Sequence, residues 1–181
     1  IDITPEEQQA RYKADQDRFR QAKVRMIYIP FVLTPTPAAS GSKKILTESE
    51  AKAKAEGIVK QARSGADFVK LVKQHSEDPG SVAQDGDPGF PVRMNSQQPP
   101  EAMRKVILAS KAGDVTDALR HDNGYYIFRV ESVGVLPYEW VRDEIYKEIR
   151  DARFAEWLNK TRQSATVQFE NEAFFNSIGK Q

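Results

Sequence analysis

Two strand-like segments that lie far apart along the chain constrain the fold most strongly. The first, Val24–Leu33, is too short and too rich in β-branched and aromatic residues for a surface helix, which predicts a strand buried on both faces. Because proline has no amide hydrogen, Pro30 indicates that one edge of this strand is unpaired there. The second, Gly124–Val135, follows a shorter strand predicted at Asp114–Arg120, and the Asn123-Gly124 pair between them is a hairpin signal.

Helices are predicted before, between and after these strands. Capping boxes, in which a threonine is followed three residues later by a glutamate, occur at Thr4 and Thr47. The first box predicts a helix to about Lys23, and the second predicts one that closes near Gly65. Further helices are expected after Asp67, at Glu101–Leu108 and, with the clearest apolar stripe, at Tyr138–Arg162. A short strand at 167–170 and a terminal helical turn at 172–178 complete the assignment, and the order of elements predicts an α+β fold with helices packed on a small antiparallel sheet.

Composition excludes several classes of function. Lys and Arg number 27 against 26 Asp and Glu, so bulk charge gives no reason to expect a nucleic-acid partner. The chain has no cysteine, which excludes disulfides, thiolate catalysis and cysteine-based metal sites. No apolar run approaches the roughly 18 residues that span a bilayer. The start at Ile1, without a charged-then-apolar leader, suggests a processed piece of a longer polypeptide.

The stretch Asp78–Pro100 is dense in Pro, Gly, Asp and Gln, which predicts turns and short extended pieces rather than a linker, because Phe90, Val92 and Met94 alternate within it. Two short motifs lie here: Ser76-Glu77-Asp78, which leads into the stretch and is followed by Pro-Gly-Ser, and Gly86-Asp87-Pro88-Gly89-Phe90 within it. The last strand then reads Gly-Tyr-Tyr-Ile-Phe-Arg-Val from Gly124.

In order and spacing these three motifs resemble those of the parvulins, a family of peptidyl-prolyl cis/trans isomerases. The resemblance covers residues 24–136 and implies a parvulin-like domain there, with helical extensions at 1–23 and 137–181. Those extensions are similar to the helices beside parvulin domains in exported bacterial foldases and chaperones. The resemblance therefore implies an exported protein of the periplasm or cell envelope.

The resemblance also implies a site. Its proline pocket would be lined by Met94, Met103 and Phe90, and Asp78 would lie against the substrate amide. The two family histidines are both tyrosine here, Tyr28 in the first strand and Tyr126 in the last. Since a tyrosine hydroxyl both donates and accepts, these tyrosines and Asp78 could keep a hydrogen-bonded cluster. The residues alone leave simpler alternatives open. An Asp before Pro-Gly is often only a turn residue, the apolar side chains could be plain core, and the tyrosines could be half-buried with hydroxyls in water.

The two histidines of the chain, His75 and His121, occupy neither family position, and neither is expected to be catalytic. They are too far apart in sequence to indicate a metal site, and no metal or cofactor is expected. Lys43 and Lys44 lie where phospho-specific parvulins carry a basic loop, but two lysines are more often ordinary surface charge, so phosphate dependence is not predicted.

Two functions are compatible with these features, and a scaffold domain within a larger assembly, served by the apolar stripes of the flanking helices, remains a third possibility. The first is a prolyl isomerase that assists folding and whose partners are unfolded or partly folded, proline-containing polypeptides. The second is a client-binding chaperone module that holds extended apolar chain in the same groove without appreciable catalysis. The histidine-to-tyrosine replacements and Met103, in place of a pocket phenylalanine, favour the second function more than a full set of motif residues would.

Overall fold

Four strands form one antiparallel sheet in the computed structural model, which describes residues 2–33, 45–122 and 124–164. The order across the sheet is β2-β1-β4-β3, for strands β1 (Arg20–Pro30), β2 (Val92–Arg93), β3 (Leu119–His121) and β4 (Gly124–Val135). The helices of the described residues are α1 (Pro5–Ala14), α2 (Glu48–Arg63), α3 (Phe68–His75), α4 (Pro79–Ala83), α5 (Glu101–Ala109) and α6 (Tyr138–Ser164). The predicted α+β class, with helices on a small antiparallel sheet, is confirmed.

Both faces of the sheet are buried. Successive side chains of a strand point to opposite sides, so each central strand contributes to two separate cores. Odd-numbered residues of the central strands, among them Ile27 and Ile127, join α2 and α3 in one cluster, which we call the α2/α3 core. Even-numbered residues, among them Val24 and Phe128, pack with α5 in a second cluster, which we call the α5 core. Pro30 pairs with Gly124 of β4 on one side, and β2 pairs with β1 only at Gln21 and Ala22, so among the described residues no strand pairs with the other edge of β1 at Pro30, which suits its missing amide hydrogen.

Local capping sets the starts of the helices. Thr47 and Glu50 form the complete capping box at the start of α2, and the Asp67 carboxylate accepts the Val69 and Lys70 amide hydrogens at the start of α3. At α1 the Thr4 hydroxyl accepts the amide hydrogen of Glu7. These three predicted starts are confirmed.

The predicted end of the first helix is wrong. Helix α1 stops at Ala14, residues Gln16–Phe19 form a 3-10 turn, and β1 already begins at Arg20. Phe19 is fully buried, and Ala22 and Val24 follow at strand spacing, paired with β4. Sheet pairing and burial therefore override the helix propensity of residues 15–23.

The strand predicted from Asp114 is also too long. Only Leu119–His121 pair continuously with β4, and Val115 makes a single isolated bridge to Arg129. The Thr116 amide donates to the Phe128 carbonyl, while the Phe128 amide donates to the Thr116 hydroxyl, so one side chain replaces a backbone acceptor here. The Asp114 carboxylate accepts the Lys111 amide hydrogen within a turn. The elements predicted at 167–170 and 172–178, Lys43 and Lys44, and Asn123 of the hairpin lie outside the described residues.

The described residues divide into two units, one spanning 15–137 and the other made of α1 and α6. In the second unit, the Tyr12 and Tyr138 rings meet edge to face at 5.9 Å, and Arg11 and Arg153 pair with Glu148 and Glu7. The stripe predicted along α6 is buried only at Val141 and Ile145. Within the described ranges, no helix combines the length and apolarity that crossing a membrane requires.

We expect a fragment of residues 15–137 to unfold cooperatively and one of 24–136 to be strongly destabilised. The shorter fragment lacks Phe19 and the four residues of β1 that pair with Val135, Gly134, Val133 and Ser132. Loss of one buried phenylalanine costs about 3–5 kcal/mol, a large part of the stability of a small domain. Urea denaturation of both fragments, followed by far-UV circular dichroism, measures the difference. Equal midpoints would contradict the expectation.

Candidate functional site

The candidate site lies on the α5 side of the sheet, where β1 and β4 present facing side chains. Met26 is opposite Phe128 and Tyr28 is opposite Tyr126 in the antiparallel register. Directly opposed side chains on one face of a sheet lie within contact distance. The two strands therefore supply a floor of one methionine and three aromatic rings.

A cavity of about 200 Å³ opens over the Met26, Tyr126 and Phe128 side chains of this floor. Its walls are mostly apolar and come from the two strands, from the turn segment 88–100 and from α5. The lining residues are Val24, Met26, Pro88, Phe90, Val92, Gln98, Pro99, Pro100, Met103, His121, Tyr126 and Phe128. Such a concave apolar pocket with few polar groups is typical of a ligand site.

The Tyr28 and Tyr126 rings lie against each other, with centroids 4.8 Å apart and an angle of 34° between planes. Gly124 makes room for the Tyr28 ring, because a Cβ there would overlap Cε2 of Tyr28. Burial, followed by the nearby Asp122 and Asp78 carboxylates, raises the pKa of Tyr28 above its ordinary value of 10.0. Burial also raises the pKa of Tyr126, with smaller contributions from Tyr28 and the same carboxylates. Both hydroxyls thus stay protonated throughout the neutral pH range.

The Ser76-Glu77-Asp78 segment is fixed to the free edge of β1. The Tyr28 amide donates to the Ser76 hydroxyl at 3.1 Å, and the Glu77 amide donates to the Tyr28 carbonyl at 2.9 Å. These bonds hold the next residue, Asp78, beside the tyrosine pair. The Asp78 carboxylate accepts the Ser81 amide hydrogen at 2.8 Å and so caps α4.

Further hydrogen bonds hold the segments that form the cavity walls. The Met26 amide donates to the Gly86 carbonyl at 2.8 Å, which attaches the turn before Pro88 and Phe90 to the strand edge. The Arg104 guanidinium donates to the Met94 carbonyl at 3.1 Å and to the Pro99 carbonyl at 2.7 Å. Arg104 thereby ties the proline-rich wall to α5.

The structure brings most of the residues predicted for the site together. Phe90, 41% exposed, and Met103, 3% exposed, line the cavity with Tyr126, while Tyr28 contacts Tyr126 from the side. Met94 does not line the cavity; it packs against the α5 core. Asp78 serves as a helix cap, which is the simpler of its two readings, and it also lies close enough to influence both tyrosines.

Sequence reasoning missed several lining residues. Met26 and Phe128 lie two residues from Tyr28 and Tyr126 along their strands, so their side chains point to the same face of the sheet. They could be assigned to the site once the strand register was known. His121, left outside the site because it occupies neither family histidine position, borders the cavity. The prolines of the wall gave no signal of their own, since their positions depend on how the turn segment folds back onto α5.

A larger depression of about 710 Å³ lies elsewhere on the 15–137 unit. It is lined by polar groups, among them Arg63, which already donates to the Val115 carbonyl and pairs with Asp117. None of the residues predicted for the site lies in it. Across the described ranges, no cluster of three or more His, Cys, Asp or Glu side chains could hold a metal ion.

Comparison with known proteins agrees with this geometry. The family model of the rotamase, or PPIC-type PPIase domain, matches residues 32–132, more than half of the 181 residues. The chain is 32% identical over 132 residues to the periplasmic chaperone PpiD of Haemophilus ducreyi, covering 70% of this chain and 21% of that protein. It is 31% identical over 131 residues to the foldase protein PrsA 3 of Bacillus anthracis, covering 71% and 44% respectively. The chain thus spans less than half the length of these relatives.

Among solved structures, the peptidylprolyl isomerase PrsA of Bacillus cereus superimposes with a TM-score of 0.53 at 19% identity, over 94% of this chain and 57% of that one. That similarity shows the fold. The matched family model together with this fold shows that the chain belongs to the PPIC-type peptidyl-prolyl isomerase (rotamase) family, of which the parvulins are members.

Proposed function

We propose that this protein is a peptidyl-prolyl cis/trans isomerase that assists protein folding. The observation that carries the proposal is the apolar cavity of about 200 Å³ lined by Tyr126, whose ring lies against that of Tyr28. One water molecule occupies about 30 Å³ of liquid, so the cavity has the volume of several water molecules. That volume is large enough for a proline ring. The hydroxyl groups beside it supply polar contacts where the amide of that proline would lie.

The chemistry needs no covalent step. Rotation about an X-Pro bond meets a barrier of about 18–20 kcal/mol because amide resonance is lost in the twisted state. A site lowers this barrier by binding the twisted amide better than either planar form. Exclusion of water and hydrogen bonds aimed at the shifting charge do this.

Each group has a separate part in the proposed mechanism. Phe90, Met103 and Phe128 hold the proline ring, so that the ring stays fixed while the preceding carbonyl rotates. Tyr28 and Tyr126 donate hydrogen bonds to the twisted amide. A tyrosine hydroxyl is already neutral at neutral pH, and burial raises the pKa of both further, so they act as neutral donors. Asp78 positions this pair through the segment that it caps.

Two-dimensional exchange NMR on a panel of X-Pro tetrapeptides tests the proposal directly. We expect faster cis/trans exchange in the presence of the protein, and loss of that acceleration when Phe90 is replaced by alanine. Phe90 is half exposed, so its removal spares the fold while it opens the pocket wall. No acceleration on any peptide, from a sample that circular dichroism shows to be folded, would refute isomerase activity.

We expect Asp78→Ala and Asp78→Ser to separate the two readings of Asp78. Alanine removes both the carboxylate and the cap of α4 and should cost about 1 kcal/mol of stability. Serine keeps an oxygen that can accept the Ser81 amide hydrogen but has no charge. If Asp78 acts by holding the segment, serine restores the turnover that alanine loses, as measured by exchange NMR. Equal loss of turnover in both variants would instead assign a role to the carboxylate itself.

A second function, client binding without appreciable catalysis, is favoured by two observations. The Asp78 carboxylate is already engaged in capping α4, and both family histidines are tyrosine, which reduces the polar groups available for catalysis. In that case the cavity holds proline-containing segments, and the protein suppresses aggregation of an unfolded client. Suppression that survives Asp78→Ala, without any acceleration of exchange, would favour this function.

The proposed partners are unfolded or partly folded polypeptides that contain proline. The names of the relatives, a periplasmic chaperone and a foldase, support this choice and support an exported protein of the periplasm or cell envelope. For the domain itself, the pairing of Arg20–Lys23 within the sheet supports a boundary near residue 15 rather than 24.

A further inference from the structure

The end of strand β3 brings a histidine to the cavity. Successive residues of a strand point to opposite faces, and the neighbours of His121 follow this rule. Arg120 lies over the Phe31 ring and pairs with Glu48 on the α2/α3 side, whereas Leu119 packs against the α5 core. The parity of the strand therefore directs His121 to the same side as Leu119, where it borders the cavity.

His121 is one of few polar groups in an otherwise apolar wall. Among the lining residues, the others with polar side-chain atoms are Gln98 and Tyr126. Tyr126 and His121 lie on neighbouring strands, since Tyr126 pairs with Leu119 and His121 with Gly124. The two polar groups thus lie on the same part of the rim.

Asp122 stands beside the imidazole. Its carboxylate oxygen Oδ2 lies 3.2 Å from Nε2 of His121, and its φ of 47° is the left-handed conformation that turns the chain into β4. The Asp122 side chain is largely in solvent, while the His121 side chain is 39% exposed. A carboxylate on one nitrogen orients an imidazole and leaves the other nitrogen for a further partner.

We propose that His121, oriented by Asp122, is a substrate-contacting residue of the proline site and forms a hydrogen bond to the client backbone next to the bound proline. This inference rests on the proposed function, because it assigns a ligand contact within the same cavity. An imidazole offers one donor and one acceptor when neutral and two donors when protonated, so it matches either the carbonyl before the proline or the amide after it.

Ring-proton NMR provides a direct test, because the chain has only two histidines. His75 does not line the cavity and serves as the internal reference, and His121→Gln assigns the second signal. On titration with the tetrapeptide Ala-Ala-Pro-Phe, we expect the His121 ring signal to shift saturably together with the Met103 methyl signal, while Ala-Ala-Ala-Phe produces no such shift. The peptides are the probes, and the full chain is used.

Turnover of the same peptide in variants provides the second readout. His121→Phe keeps a flat ring in the wall and removes its polar atoms, so kcat/KM should fall about threefold to tenfold, the range for one hydrogen bond. Asp122→Asn should give a smaller loss, and the matched control His75→Gln should keep the parental turnover. Circular dichroism of each variant verifies the fold.

The outcomes separate the two proposals. A shift of the Met103 methyl without a shift of the His121 ring, or parental turnover in His121→Phe, would overturn this inference and leave the isomerase in place. Loss of turnover in His121→Phe without a ring shift in the parent would mark His121 as structural and overturn it too. If neither signal moves and exchange is not accelerated, the cavity does not bind proline, and both proposals fail.

Discussion

Replacement of Gly86 by alanine is expected to destabilise the 15–137 unit by roughly 3 kcal/mol, the combined cost of left-handed strain and overpacking. Gly86 has a φ of 96°, which residues with a side chain rarely adopt. A Cβ there would lie 2.8 Å from Cγ2 of Val72, a fully buried side chain, and 3.3 Å from the Met26 carbonyl oxygen. Neither neighbour can move freely, because one is packed in the α2/α3 core and the other is strand backbone.

Gly89 provides the matched control. It also has a positive φ, 81°, but a Cβ there would meet no atom within 4 Å. Gly89→Ala should therefore cost only the backbone strain, about 1 kcal/mol. Both tryptophans lie in α6, so urea denaturation of the 15–137 unit is better followed by hydrogen exchange of β1 amides than by tryptophan fluorescence. Equal losses in the two variants would show that the contacts around Gly86 yield easily.

Much of the fold follows from local patterns in the sequence. The capping boxes and Asp67 fix helix starts by hydrogen bonds that span only three residues, and the apolar runs fix β1 and β4. The end of α1 could not be found this way. Residues 15–23 favour a helix locally, and only pairing with β4, distant in sequence, makes them turn and strand.

The parts of the site that come from contiguous motifs could be predicted from the sequence. The parts that depend on how the turn segment folds back onto α5 could be predicted less well. The tyrosine pair follows from the positions of Tyr28 and Tyr126 in two strands, which the register makes neighbours. Phe90 and Met94 were both assigned to the pocket by their places in the motifs. The turn segment brings Phe90 and three prolines to the cavity but not Met94. The place of His121 could not be predicted without the bounds of β3. His121 is the last residue of this short strand, and the alternation of side chains along the strand decides which core it faces.

The tyrosine pair carries the largest effect that we expect on activity. Replacing both Tyr28 and Tyr126 by phenylalanine keeps the stacked rings and removes the two hydroxyls. If these groups stabilise the twisted amide, kcat/KM should fall on the order of 100-fold, as when a donor to a developing charge is removed. Affinity for a proline peptide should change little, because the apolar walls remain. Exchange NMR for turnover and a chemical-shift titration for affinity measure the two quantities on the same sample.

Tyr125→Phe is the control on the same strand. Tyr125 is buried on the opposite face of β4, in the α2/α3 core, so its hydroxyl cannot reach the cavity. This variant should keep the parental turnover, whereas the single variants at Tyr28 and Tyr126 should each lose a part of it. A double variant that turns over at the parental rate would mean that the apolar cavity acts without donors. A double variant that binds peptide normally but accelerates nothing would show that the tyrosines, in place of the family histidines, carry the catalytic step.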